Sequence, residues 1–420
     1  MLARSPHSDV ASPGVNVGFP LCHDPAHEPP IRRLLVRCVD FLRSRLPGPR
    51  LCAIILTGSF ARGEGSVVPV GGRLRVLGDL EFLVAVTPNT DVRSMRANMA
   101  AWSREASIAL GDEVQAEIEF GPVELGYFAR RVRPAIFVYD LLTHGKVIWG
   151  PPDIMDTLPT FSAADIPRDD CLALLFNRTI EQLEAYDRVP GAESDPFTDA
   201  VYQRSKLMLD IAGSALAFSG RHVPSYAERP AEFARLAVET PALRDLLPEG
   251  FQDDLESAAR TKLSPATEIA ARRVAGTPRE RQAWIRSQIV AGIPAVAAVI
   301  RWELEELLGQ PMDLPELLAA YLAAQPWSER ARDWAKIALH PMPAPLPLSL
   351  NGVARQFFAG TPRALLYAAG TLAYLDLAGI RLRRAALAPL LFVRGGTVSD
   401  DPEGQRKAIT ALWRWCVRNN

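Results

Sequence analysis

Asp79 and Glu81 stand two residues apart inside an apolar run, Gly78-Asp-Leu-Glu-Phe-Leu-Val84, and Gly58-Ser59 closes an earlier run, Leu51-Cys-Ala-Ile-Ile-Leu-Thr57. A strand has a side-chain period of two, so the spacing predicts both carboxylates on one face. Adjacent carboxylates on an apolar strand repel each other and lose hydration, a cost that a divalent cation between them offsets. Gly-Ser where a buried strand turns into the next element exposes backbone N–H donors, which suit a phosphate. Acid pair and phosphate cradle together spell metal-nucleotide chemistry.

Two other glycine-loop readings fail on the same residues. A P-loop needs Lys after its second Gly, whereas Gly58-Ser-Phe-Ala-Arg-Gly63 is followed by Glu64. A dinucleotide fingerprint needs a third Gly, and Gly63-Glu-Gly65 runs on to Ser66, Val67 and Val68. The plainest alternative is an ordinary turn followed by acids on the solvent face of an edge strand.

Thr57-Gly-Ser-Phe-Ala-Arg-Gly-Glu-Gly65 followed by Gly78-Asp-Leu-Glu-Phe-Leu-Val84 resembles the nucleotidyltransferases of the DNA polymerase beta superfamily, whose signature is a strand-end Gly-Ser and then Asp-x-Asp or Asp-x-Glu on the next strand. The resemblance implies a third carboxylate on a later strand. Gln115-Ala-Glu-Ile-Glu-Phe-Gly-Pro122 offers Glu117 and Glu119 on one face; Glu117 aligns better and is favoured, with Glu119 second. It further implies two Mg²⁺ ions held by Asp79, Glu81 and Glu117, a nucleoside triphosphate gripped at Gly58 and Ser59, ATP as the default nucleotide, and transfer of a nucleoside monophosphate to an acceptor hydroxyl. Tyr202-Gln-Arg-Ser-Lys-Leu-Met-Leu-Asp210 is similar to the helix that follows the core in the aminoglycoside-modifying type, where a basic residue reaches the triphosphate. Lys206 is the candidate, against an ordinary i,i+4 pair with Asp210. Arg62, in the turn after Ser59, is a second candidate phosphate ligand, against surface charge.

The elements that must hold these residues follow from periodicity and punctuation. Ile31 to Leu46 and Asp91 to Leu110 have apolar residues at helical spacing, and Val147-Ile-Trp149 reads as a strand. The gap between Ser59 and Asp79 is longer than is common in the family. Within it, Val67 to Leu77 reads as two short strands around Gly71-Gly72, a β-hairpin projecting beside the site. Arg73 and Arg75 fall on one face of it and read as solvated edge charges. Pro151-Pro152 marks a boundary beyond which helical patterns dominate. The expected fold is α+β: a mobile leader over 1–28, a nucleotidyltransferase core over 29–150 with a mixed sheet flanked by helices, and an all-α region over 151–420.

Composition narrows the partners. A chain of 420 residues with 48% hydrophobic residues exceeds one core and supports two domains. The net charge of −1 provides no general attraction for a polyanion, so a small-molecule acceptor is favoured over nucleic acid. Only five of the 47 basic residues are Lys, and the arginines are scattered. Five dispersed cysteines indicate neither a disulfide framework nor a zinc cluster, and Cys22-His-Asp-Pro-Ala-His27 lacks a second ligand pair. The start lacks the pattern of a secretory signal, and the uncharged run Ser287 to Ile300 falls short of the ~20 residues that span a bilayer. The expectation is a cytoplasmic protein with no membrane partner. Besides the enzyme, the same residues allow a catalytically silent nucleotide-binding or regulatory module on this fold. A toxin–antitoxin role would call for Arg followed closely by His on a helix, a pattern missing from residues 151–420.

Overall fold

The computed structural model describes residues 14–188, 196–271, 277–340, 343–348, 350–379 and 401–418. The chain divides into two compact units, residues 1–162 with 263–266, and 163–262 with 267–420.

The first unit runs α1 (Glu28–Arg45), β1 (Leu51–Leu56), α2 (Gly58–Ala61), β2 (Val67–Val70), β3 (Arg73–Val86), α3 (Val92–Ala109), β4 (Val114–Glu124), α4 (Leu125–Arg131), α5 (Ile136–His144) and β5 (Lys146–Trp149). Its sheet is mixed. β3 pairs antiparallel with β2 and β1 and parallel with β4, while β5 pairs antiparallel with the far side of β1. Being flanked on both sides, β1 is apolar throughout and almost wholly buried. Gly71 and Gly72 take φ of +57° and +82°, the paired positive values of a tight hairpin turn, and Val70 faces Arg73 across it. The hairpin is thus where the sequence places it, with one difference: β3 continues unbroken from Arg73 to Val86. The hairpin therefore extends the acid-bearing strand instead of standing beside it.

One face of the sheet, with Ile54, Leu56, Leu80, Phe82, Val84, Ile118 and Phe120, packs against α1 and α3. α1 contributes Ile31, Leu34, Leu35, Cys38, Val39 and Leu42, a stripe with the three-to-four-residue spacing of an amphipathic helix. α3 is started by Asp91, whose carboxylate accepts from the N–H groups of Arg93 and Ser94 at 3.1 and 3.2 Å. The opposite face packs Ala53, Ile55 and Ala85 against Phe128 of α4 and Leu141 of α5. Farther back along that face stand Asp79 and Glu81, half-buried, and Glu117 and Glu119, exposed.

Residues 14–24, read from sequence as part of a mobile leader, pack on the first unit. Leu21 and Cys22 are buried, Val15, Val17 and Phe19 lie against the core, and main-chain bonds run from Asn16 N to Ile148 O (2.8 Å) and from Gly65 N to Leu21 O (3.0 Å). These contacts use backbone groups and dispersed apolar side chains, so they leave no periodic trace.

The second unit is helical, and no strand follows Trp149 among the described residues. α6 (Arg168–Asp187), α7 (Pro196–Phe218) and α8 (Arg229–Glu239) begin it. The run Arg279–Leu308, with a hydropathy of 1.6, is long and apolar enough to cross a membrane. A core helix passes the same test, and Ile293, Val296, Val299, Ile300 and Leu304 of the helix Ile293–Leu308 are buried inside the protein. Together the sheet unit and the helical unit make an α+β protein.

Candidate active site

The site is built where β1 ends beside the middle of β3. Thr57 continues the pairing of the two strands, its N–H donating to the Glu81 carbonyl at 3.0 Å. The next residue, Gly58, has φ of +67°, and a Cβ there would lie 2.4 Å from Glu81 Oε2. The left-handed backbone favours glycine at this position, and the near atom is the movable end of the Glu81 side chain. Gly58 opens the single turn of α2, whose first N–H groups have no acceptor within the helix. The turn closes on itself through Arg62 N and Glu64 N, which both donate to Ser59 O, at 3.2 and 2.9 Å.

Asp79 and Glu81 share a face of β3, as their spacing predicts. β4 runs parallel in a register that sets Asp79 opposite Glu117 and Glu81 opposite Glu119. The carboxylates that converge are those of Asp79, Glu81 and Glu119, with one oxygen of each within 4.8 Å of the others. Glu117, first choice on sequence, is not in that group. The alternation along β4 puts both glutamates on the same face and the register sets each opposite an acid of β3, but it is the Glu119 carboxylate, opposite Glu81, that joins the group. Between Arg75 and Asp79 the β3–β4 register shifts, which breaks any simple extrapolation from the hairpin.

Three carboxylates offer oxygen donors only, the set preferred by hard divalent cations such as Mg²⁺. Like charges gathered this closely are costly without a counter-charge, so the donor set fits a bound cation. This is the only such group of His, Cys, Asp and Glu among the described residues, and Cys22, His23 and His27 form none.

Arg62 has a different setting from the one expected of a phosphate ligand. Its side chain is 5% exposed, with Nε 3.2 Å from Glu64 Oε2 and an Nη 3.3 Å from Asp140 Oδ2 on α5. It ties the turn after Gly58-Ser59 to α5, and its charge is already engaged by two carboxylates. His144, at the end of α5, is held below the usual histidine range by burial and by the Arg62 guanidinium, with Asp140 and Glu64 pulling the other way.

Lys206 lies on α7 of the second unit. The guanidinium of Arg178 and burial push its ammonium down, but Glu181, Tyr202 and Asp210 outweigh them and its pKa lies above the usual lysine value. Its surroundings include a charge network in which Arg178 and Arg229, each a possible cleft-lining residue on sequence, face Asp210. Asp210 bonds to Arg178 (Nε to Oδ2, 2.7 Å) and lies 3.9 Å from Arg229, while Lys262 donates to the Tyr202 hydroxyl at 2.9 Å. The partners come from four helices far apart in sequence, so no local motif announces them.

No family model matches the chain, and no curated protein matches it. Among solved structures, spectinomycin adenyltransferase AAD(9) from Enterococcus faecialis, determined with ATP and spectinomycin, aligns with 61% of this chain and 97% of that chain, at 15% identity and a TM-score of 0.34.

Proposed function

We propose that this chain is a Mg²⁺-dependent nucleotidyltransferase that moves a nucleoside monophosphate from a nucleoside triphosphate, ATP by default, to a hydroxyl of a small-molecule acceptor. The observation that carries this reading is the convergence of Asp79, Glu81 and Glu119 beside the Gly58-Ser59 turn. Asp79 and Glu81 would hold the cations, two by the resemblance of their motif, with Glu119 as third ligand in place of Glu117. When bound, Mg²⁺ supplies charge neutralisation at the phosphates and lowers the pKa of the acceptor hydroxyl. The N–H groups at the start of α2 would grip the terminal phosphates and orient the α-phosphorus for in-line attack by the acceptor oxygen, the α–β anhydride bond breaking as pyrophosphate leaves. Lys206 is assigned to the triphosphate by resemblance alone, and its retained charge suits that role. Arg62 is left out of the phosphate set because Glu64 and Asp140 engage it. The near-neutral net charge supports a small acceptor over a polynucleotide.

Calorimetry with Mg²⁺ and each of the four ribonucleoside triphosphates, on wild type and Asp79→Asn, tests the reading. Wild type is expected to bind at least one nucleotide, and Asp79→Asn to lose Mg²⁺-dependent binding and at least ~10³-fold in transfer, the several kcal/mol a catalytic metal supplies. If wild type binds no nucleotide, the proposal fails. Binding without transfer to any hydroxyl acceptor would instead identify a silent module.

A further inference from the structure

β4 pairs with β3 on one side, and its outer edge is met by a helix. On that edge the N–H of Ile118 donates to Ser107 Oγ and the N–H of Phe120 to Ser103 Oγ, both at 2.9 Å. Both serines belong to α3. Four residues along a helix advance ~6 Å, and two along a strand ~6.6 Å, so serines at i and i+4 match amides at j and j+2. Ser107 Oγ also donates to Ser103 O at 2.9 Å, which orients its lone pairs toward the strand. The two amides flank Glu119.

Side-chain pattern alone does not fix the height of β4. Ala116, Ile118 and Phe120 face the core and Glu117 and Glu119 the opposite side, so a two-residue slip keeps apolar inside and acid outside while exchanging Glu117 for Glu119. The Phe120 ring, with centroids 6.2 Å from Phe41 and 5.5 Å from Phe82, discriminates by volume. The serines fix the main chain itself. We infer that Ser103 and Ser107 are positioning residues for Glu119: by clamping the amides on either side, they hold its carboxylate against Asp79 and Glu81. The inference rests on the metal-site reading given above.

The test is Mn²⁺ binding to the full chain, read by electron paramagnetic resonance, together with amide hydrogen exchange at Ile118 and Phe120. Ser103→Ala/Ser107→Ala is expected to weaken Mn²⁺ about tenfold, the low end of what losing the support of a metal ligand costs, and to speed exchange at both amides. Ser103→Thr/Ser107→Thr keeps both oxygens and should restore the affinity. Met99→Ala, at a buried α3 position away from the serine bonds, controls for general loosening of the helix. Unchanged Mn²⁺ affinity in the double alanine variant, or equal weakening in Met99→Ala, overturns the inference and leaves the metal site standing. If wild type binds no Mn²⁺ that Glu119→Gln weakens, the metal-site reading falls and takes the inference with it.

Discussion

On the sheet of the first unit, Asp79, Glu81 and Glu119 bring three like charges together toward the surface, whereas in the second unit Asp210 lies buried between Arg178 and Arg229. The two arrangements have opposite energetic signs. Paired and buried, the Asp210 network compensates its own desolvation and forms part of the architecture. The sheet carboxylates instead set like charges side by side, which repel, and strand register holds them close. Under the proposed function, convergence of like charge separates the candidate site from the structural network better than burial or number of charges does.

The largest expected effect sharpens this contrast. Asp210→Ala leaves the buried Arg178 guanidinium without its main partner and should cost about 3–5 kcal/mol of stability. Asp79→Asn, measured without divalent cations, should leave stability unchanged or raise it by up to ~1 kcal/mol, because it removes repulsion between neighbours on one face. Urea denaturation of both variants checks the pair. Destabilisation by Asp79→Asn comparable to that of Asp210→Ala would mean that the sheet acids are structural, and the comparison would collapse.

Within the helical unit Glu303 breaks the pairing rule and offers the next test. It is fully buried, Oε1 lies 2.6 Å from Ser214 Oγ, and Oε2 has no partner among the described residues. Ser214 also lies 2.8 Å from the Cys171 carbonyl. Its hydroxyl has one proton for two acceptors, so both contacts are satisfied when Glu303 is protonated and donates. Burial pushes the Glu303 carboxyl up to about 8. A carboxyl raised in the folded state adds stability that is complete below its unfolded value and lost as pH rises through the folded one. The window is therefore from the ordinary 4.5 to about 8. Between pH 6 and 8 the loss should be about 2 kcal/mol, and Glu303→Gln should flatten it. Thermal melts across that range decide: equal slopes for the two proteins would show that Glu303 does not carry the proton.

How much of this was legible in the sequence depends on the reach of each interaction. Asp79 and Glu81 were readable because period two, apolar flanks and the preceding Gly-Ser all lie within one short span. The Gly71-Gly72 turn was readable from its own two residues. Glu119 was not separable from Glu117, since alternation is blind to a two-residue slip and the serines that pin the strand sit on another element. Arg62 was visible as a charge near the turn, but its partner Asp140 lies 78 residues away, and only the tertiary fold shows that the charge is engaged. Residues 14–24 were missed because their main-chain bonds impose no pattern on side chains.

The smallest expected effect concerns that Arg62 tie. Asp140→Asn removes one of two carboxylates from the guanidinium and leaves Glu64 in place, so Arg62 stays paired while the turn loses its charged link to α5. Asp140 is partly exposed, which limits the loss of stability to about 1 kcal/mol. His144 reports the change directly: Asp140 raises its pKa, so the substitution should move it further below the ordinary 6.5. A histidine depressed in the folded state has its stabilising contribution above the unfolded value and loses it as pH falls, so the variant should be more acid-sensitive than wild type below about pH 6.5. If the tie steadies the Gly58-Ser59 turn, the KM for the nucleotide should rise about threefold with kcat nearly unchanged, the signature of weakened ground-state grip. Proton NMR of the His144 ring and steady-state kinetics measure the two separately. A shifted His144 with unchanged KM would confine Arg62 to holding the fold, and the sheet unit would then keep its structural charges apart from its three converging carboxylates.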